Sequence, residues 1–183
     1  MVNLFIAYDR QITQFLNWII PHNRWLDGFF SFFSLSGSSF FIWILVISIV
    51  LIYEELVHPG IQKRDVRFVV YFLVSFLVTF IIANYLLKNI FARSRPDHRL
   101  PASTVKNVCP DDYSFPSSHA TTAFSASTIL AFFDKKRGRF YYAVAGLISL
   151  SRIYLFCHYF SDVFFGAILG YLISRLIIKI RMV

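Results

Sequence analysis

The chain has 183 residues, 57% hydrophobic and only 15% charged, with a mean hydropathy of +0.60. A soluble domain carries ~25% charged residues, so this composition excludes an ordinary water-soluble enzyme. It describes one integral membrane domain, residues 1–183. The formal net charge of +8 on so apolar a chain points to anionic membrane lipid and not to nucleic acid. The first charged residues, Asp9 and Arg10, give no basic n-region of a secretory signal. Two cysteines are too few for a disulfide framework, and no Cys/His spacing resembles a zinc site.

Residues 4–20 carry an apolar stripe (Phe5, Tyr8, Ile12, Phe15, Leu16, Ile19) opposite a polar one (Arg10, Thr13, Gln14, Asn17). That pattern predicts an amphipathic helix lying in the membrane interface. Pro21 to Asp27 reads as a turn, with His22 a solvated residue in it. Residues 1–27 are thus an interfacial helix and turn, and 28–183 a transmembrane core. Within the core, 28–53, 68–87, 114–133, 140–156 and 163–180 read as spans. The fold class expected is all-α: a polytopic membrane helical bundle of about five transmembrane helices. The 54–67 loop carries Pro59-Gly60 as its breaker, and 134–139 is a short basic turn. The polar segment 88–113 is long for so small a protein, and long loops are usually functional. In the last span Gly166 and Gly170 are four apart, either a close-packing motif or a chance spacing.

Five spans put the 88–113 loop, the start of the third span and residues 152–162 on one membrane face. Lys135, Lys136, Arg137 and Arg139 then lie on the other. Short basic loops stay cytoplasmic, so the polar face is expected to be outward.

That polar face holds three clusters. The first runs from Lys88 to Arg95-Pro96, two cations seven apart at the end of a span; interfacial snorkelling is its simpler explanation. The second is Pro116-Ser117-Ser118-His119, where proline and hydroxyls opening an apolar run predict a helix N-terminus. Backbone N–H groups and the helix dipole make such a terminus an anion site. The third is Ser151-Arg152 followed by His158 and Asp162. Polar groups in hydrocarbon mark function by default. His158 and Asp162 are four apart and share one face of a helix or helix-entry turn. The carboxylate can hold one ring nitrogen and leave the other nucleophilic, although a self-satisfied buried pair has the same pattern. Arg152 offers a fork suited to phosphate oxygens.

Lys88-x6-Arg95-Pro96, Pro116-Ser117-Ser118-His119 and Ser151-Arg152-x5-His158-x3-Asp162 together resemble the three-part signature of the type-2 phosphatidic-acid phosphatase superfamily. That superfamily also includes vanadium-dependent haloperoxidases and glucose-6-phosphatase. One position departs: Ser118 stands where the family usually has glycine, which lets backbone approach phosphate closely. The resemblance implies catalysis by His158, His119 and Asp162: His158 attacks phosphorus, Asp162 steadies its ring, and His119 protonates the leaving oxygen. Lys88, Arg95, Ser117, Ser118 and Arg152 would bind the phosphate. Fixed cations would replace a metal, so no cofactor is expected.

The substrate implied is a lipid phosphate or diphosphate, first of all undecaprenyl diphosphate, as in small bacterial members. The site would then face outward, on the periplasmic side of a cytoplasmic membrane. A lipid A 1-phosphatase, a phosphatidylglycerophosphatase and a phosphatidate phosphatase are alternatives within the class. A non-catalytic lipid-phosphate binder or transporter is the alternative outside it; such a protein would need the cations but not His158 with Asp162. A haloperoxidase would need bound vanadate and usually a soluble helical domain. Finally, Cys109 and Cys157 fall on the same face. If that face is oxidising they can pair; otherwise Cys157 is a buried apolar residue and Cys109 a free thiol.

Overall fold

The computed structural model describes residues 2–34, 38–57, 60, 62–96 and 109–180. They form α1 (Val2–Ile19), α2 (Arg24–Ser34), α3 (Ser38–Val57), α4 (Lys63–Ile81), α5 (Lys88–Phe91), α6 (Ser118–Phe133), α7 (Gly138–Tyr154) and α8 (Phe160–Ile180). A π-helical stretch, Ile82–Leu87, joins α4 to α5. The class is all-α, as expected, and no strand occurs among the described residues.

Two helices, Lys63–Phe91 and Phe160–Ile180, are long and apolar enough to cross a membrane by length and composition. The other expected spans differ from the elements found. The stretch 28–53 is divided between α2 and α3. Helix α2 begins inside the expected turn because Asn23 Oδ1 accepts from the amides of Trp25 (3.1 Å) and Leu26 (2.9 Å), a side-chain cap. Helices α6 and α7 have 16 and 17 residues, about 24–26 Å at ~1.5 Å per residue, short of a ~30 Å hydrocarbon core. The span expected at 114–133 starts at Ser118, because Ser117 is still extended (φ −68°, ψ 110°). Of the long loop expected over 88–113, residues 88–91 are helical and 97–108 lie outside the described residues.

Helix α6 is the centre, packed against α4, α7 and α8. It is buried around most of its circumference, and its buried positions are largely Ala, Ser and Thr. Small side chains let neighbouring backbones approach. The spacing of Gly166 and Gly170 is a real contact: a Cβ on Gly170 would come 2.1 Å from the Thr121 carbonyl oxygen. One on Gly166 would come 2.9 Å from that of Ser117. The hydroxyls of Ser75, Ser125 and Ser174 lie 2.7–2.9 Å apart and tie α4, α6 and α8 together. Around them pack Trp43, Phe72, Ile129, Tyr141, Ile148 and Ile173.

Helix α1 is amphipathic, but its polar side faces the protein. Asp9, Thr13 and Asn17, spaced by four, are buried, while Phe5, Tyr8, Ile12, Phe15 and Ile19 are exposed. Thr13 accepts from the amide of Phe160 at 2.9 Å. Asn17 donates to the carbonyls of Ile153 (3.2 Å) and Tyr154 (2.5 Å). The polar stripe is therefore an attachment to the α7–α8 turn. His22, expected in solvent, is stacked on Tyr154 with ring centroids 4.3 Å apart.

Glu54, Arg64 and the basic turn share one end of the bundle. Arg64 pairs with Glu54 and donates to the Phe133 carbonyl at 2.6 Å, and Arg137 lies over the Tyr53 ring at 4.7 Å.

Candidate active site

At the other end the chain delivers its polar clusters in four pieces. The first is the end of the α4–α5 rod. π-helical insertions re-aim side chains and occur often at functional sites. Here Asn84, within the insertion, accepts from Ser118 Oγ at 2.7 Å, and Lys88, one turn on, is buried. Ala92 then takes a left-handed conformation (φ 42°), which ends the helix and turns Arg93 and Arg95 inward.

The second piece is the turn between α7 and α8. Phe156 is left-handed (φ 56°). The amides of Cys157 and His158 both fold back on the Arg152 carbonyl, at 3.0 and 3.2 Å. His158 is thereby buried beside the fully buried Arg152. Its Nδ1 is 2.8 Å from the Ser114 carbonyl oxygen. A carbonyl only accepts, so Nδ1 carries the proton and Nε2 keeps its lone pair. Arg95 Nη1 donates to Nε2 at 2.9 Å and to the Cys157 carbonyl at 2.7 Å. Burial, and then the charges of Arg95, Arg152 and Lys88, hold the His158 imidazole well below the usual histidine range.

The expected hydrogen bond from His158 to Asp162 is not formed: Nδ1 and Oδ2 are 3.6 Å apart. The Ser114 main-chain carbonyl has taken that place, at 2.8 Å. The Asp162 carboxylate instead accepts from the Tyr159 amide at 2.9 Å and from Arg93 Nη1 at 2.7 Å. Its main-chain carbonyl accepts from the Ser117 amide at 3.0 Å.

Arg93 and Asp9 are among the residues that the sequence reading did not place in the site. Arg93 donates to Ser161 Oγ (2.8 Å), to Asp162 and to Asp9 Oδ2 (2.6 Å), and lies 4.0 Å over the Tyr159 ring. Asp9 also accepts from the amide and hydroxyl of Ser161, at 2.9 and 2.5 Å. The available signal was the four-residue spacing of Asp9, Thr13 and Asn17.

The third piece is the N-terminus of α6. Its first amides have no partner within the helix. Ser117 Oγ is buried and has no hydrogen-bond partner among the described residues. His119 stands within electrostatic reach of Arg152, His158, Lys88 and Arg95. Lys88, Arg95, Arg152, His119 and His158 thus converge, with Ser117 and Ser118 at the helix start beside them.

The fourth piece is the segment from Cys109. Cys109 and Cys157 form a disulfide with Cα atoms 5.3 Å apart. Three residues on, Asp112 pairs with both Lys88 and Arg95. A buried neutral histidine under a cluster of fixed cations and a helix N-terminus can take a phosphoryl group and hold its oxygens.

The chain is similar in sequence and in fold to known proteins. The chain is 30% identical to the undecaprenyl-diphosphatase of Sulfolobus acidocaldarius over 157 residues, 85% of this chain and 71% of that protein. It is 36% identical to the decaprenylphosphoryl-5-phosphoribose phosphatase of Mycobacterium tuberculosis over 101 residues, and spans about half (50%) of that relative's length. Among solved structures, the PAP2-type phosphatidylglycerolphosphate phosphatase of Bacillus subtilis has a TM-score of 0.64 at 22% identity, covering 97% of this chain and 86% of its own. LpxE of Aquifex aeolicus has a TM-score of 0.61 at 22% identity, covering 92% and 93%. Residues 68–182 match the PAP2 superfamily. They contain every motif residue just described, and the chain belongs to that superfamily.

Proposed function

We propose that the protein is a membrane lipid phosphatase that works through a phosphohistidine on His158. The observation that carries this reading is the state of His158: neutral, with Nδ1–H given to the Ser114 carbonyl and the Nε2 lone pair directed to the cation cluster. In the mechanism, Nε2 attacks phosphorus and the bond to the leaving oxygen breaks. Lys88, Arg95, Arg152, Ser117, Ser118 and the first amides of α6 hold the phosphoryl oxygens and balance the charge of the transition state. His119 gives the leaving oxygen its proton. As His158 becomes cationic, the Asp162 carboxylate at 3.6 Å steadies it; at an effective dielectric of ~20 that interaction is on the order of 4 kcal/mol. Water then attacks the phosphohistidine and frees the ring.

For the substrate we choose undecaprenyl diphosphate. The similarity to an undecaprenyl-diphosphatase along 85% of the chain supports this choice. So does the exposed apolar face of α1, a helix whose opposite face is bonded to the α7–α8 turn and which can lie beside a long lipid tail. We place five spans in the membrane, with the basic turn 134–139 in the cytoplasm and the site on the periplasmic face. A phosphate-release screen over undecaprenyl diphosphate, lipid A, phosphatidylglycerophosphate and phosphatidate tests the choice. Fastest release from undecaprenyl diphosphate supports it; a faster rate on any other overturns it.

A further inference from the structure

Asp112 is not part of the mechanism above, yet it occupies the centre of the site. One carboxylate oxygen accepts from Lys88 Nζ and the other from Arg95 Nη2. Its own carbonyl accepts from Arg95 Nε at 2.8 Å. The side chain is 45% exposed, against 6% for Lys88 and 8% for Arg95. A wet carboxylate thus reaches down from the mouth onto two buried cations. Those are the cations assigned above to the phosphoryl oxygens, and a carboxylate offers them the same pair of acceptors that a phosphate would.

The contact also affects His158. Arg95 spends Nε and Nη2 on Asp112 and turns Nη1 to His158 Nε2. With Asp112 in place, the lone pair that must attack phosphorus is capped. Partial burial pushes the Asp112 carboxyl up, but hydrogen bonds from Lys88 and Arg95 outweigh it and hold the group below its ordinary value. It is therefore an anion at neutral pH. The Cys109–Cys157 disulfide fixes the segment three residues upstream to the neighbour of His158, so the carboxylate stays close to the cations after it lets go.

We infer that Asp112 sets the affinity of the site by acting as a tethered competitor: it binds Lys88 and Arg95 in the resting protein and must be displaced before a phosphoryl group can bind. The inference rests on the phosphate-binding role proposed for those two cations. A competitor of this kind weakens every phosphoryl ligand by one common factor, because only the fraction of protein with Asp112 released can bind. A residue that touched the substrate would instead affect each ligand differently. Release costs little water reorganisation, since the carboxylate is already half in solvent.

The test is calorimetric titration of the disulfide-bonded protein in a His158→Ala background, which cannot turn over, with inorganic phosphate and then inorganic diphosphate. Asp112→Asn should tighten both by tenfold or more and by the same factor. Asp112→Ser is measured beside it and gives the same readout should the asparagine variant not fold. Arg95→Ala separates the two claims. Phosphate binding that survives Arg95→Ala overturns the phosphate-site reading. Binding lost in Arg95→Ala but unchanged or weakened in the Asp112 variants overturns the competitor and leaves the site reading standing. Unequal factors for the two anions also overturn it, because Asp112 would then act on the bound ligand directly.

Discussion

Arg93 is a sharp test of how the site is held together. It joins α1, the end of the α4–α5 rod and the start of α8, through Asp9, Ser161 and Asp162. Asp9 and Asp162 are 3% and 0% exposed. Arg93→Met keeps an apolar stem over Tyr159 but leaves two buried carboxylates without their cation. Breaking a buried pair by removing one partner costs ~3–5 kcal/mol. For a chain of this size each kcal/mol moves the melting temperature by about 2–4 °C, so Arg93→Met should melt roughly 6–20 °C lower. Asp9→Asn alone should also destabilise. Added to Arg93→Met, however, it should recover part of the loss, because it removes one orphaned charge. The assay is thermal unfolding in a fixed detergent or nanodisc, read as a double-mutant cycle. A melting temperature for Arg93→Met within about 2 °C of wild type, or strictly additive losses, would refute the reasoning.

Gly170→Ala places a Cβ 2.1 Å from the Thr121 carbonyl oxygen and should cost at least ~1–3 kcal/mol as α8 backs away from α6. Gly146→Ala, whose Cβ would meet nothing within 4 Å, should instead raise the melting temperature, since it only removes a flexible helical residue; equal effects at the two glycines would contradict the packing. Reducing the Cys109–Cys157 bond, whose ends are 48 apart in sequence, should cost about 4 kcal/mol on the chain-entropy scale, and a melting temperature unmoved by reductant would count against it. The His158 ring should stay neutral well below pH 6.5, because burial and the charges of Arg95, Arg152 and Lys88 lower its proton affinity. Its folded value lies below the unfolded ~6.5, so protons favour the unfolded chain and stability is lost as pH falls through 6.5; an NMR titration of labelled histidine with a His158 midpoint at 6.5 would contradict this.

Much of the site was legible in the chain because its chemistry is local in sequence. A lysine and an arginine seven apart, a proline–serine–histidine helix start and an Arg-x5-His-x3-Asp run each carry their meaning in residue type and spacing. Two things were not local. The partner of His158 Nδ1 is a main-chain carbonyl, that of Ser114, and no side-chain pattern announces a carbonyl. What the polar face of α1 meets was the other, because amphipathicity says only that two faces differ. In water the polar side faces out. Here Asp9, Thr13 and Asn17 find donors and acceptors on the α7–α8 turn, so the apolar side does. The helix boundaries moved for similar reasons: Asn23 caps α2 earlier than hydropathy suggests, and the π-helical stretch carries the α4–α5 rod on to Phe91. The spacing of Gly166 and Gly170 was ambiguous alone and became clear only against the backbone of α6.

The most direct test of the central claim is to trap the intermediate. Purified protein is mixed with undecaprenyl diphosphate radiolabelled in its terminal phosphate, quenched in alkali within one turnover, and digested for peptide mapping. A phosphohistidine is stable in base and lost in acid, so the account predicts base-stable, acid-labile label on the peptide carrying His158. No label should appear in His158→Ala protein, which should also release no phosphate. Full turnover by His158→Ala, or label carried by a different residue, would contradict the account.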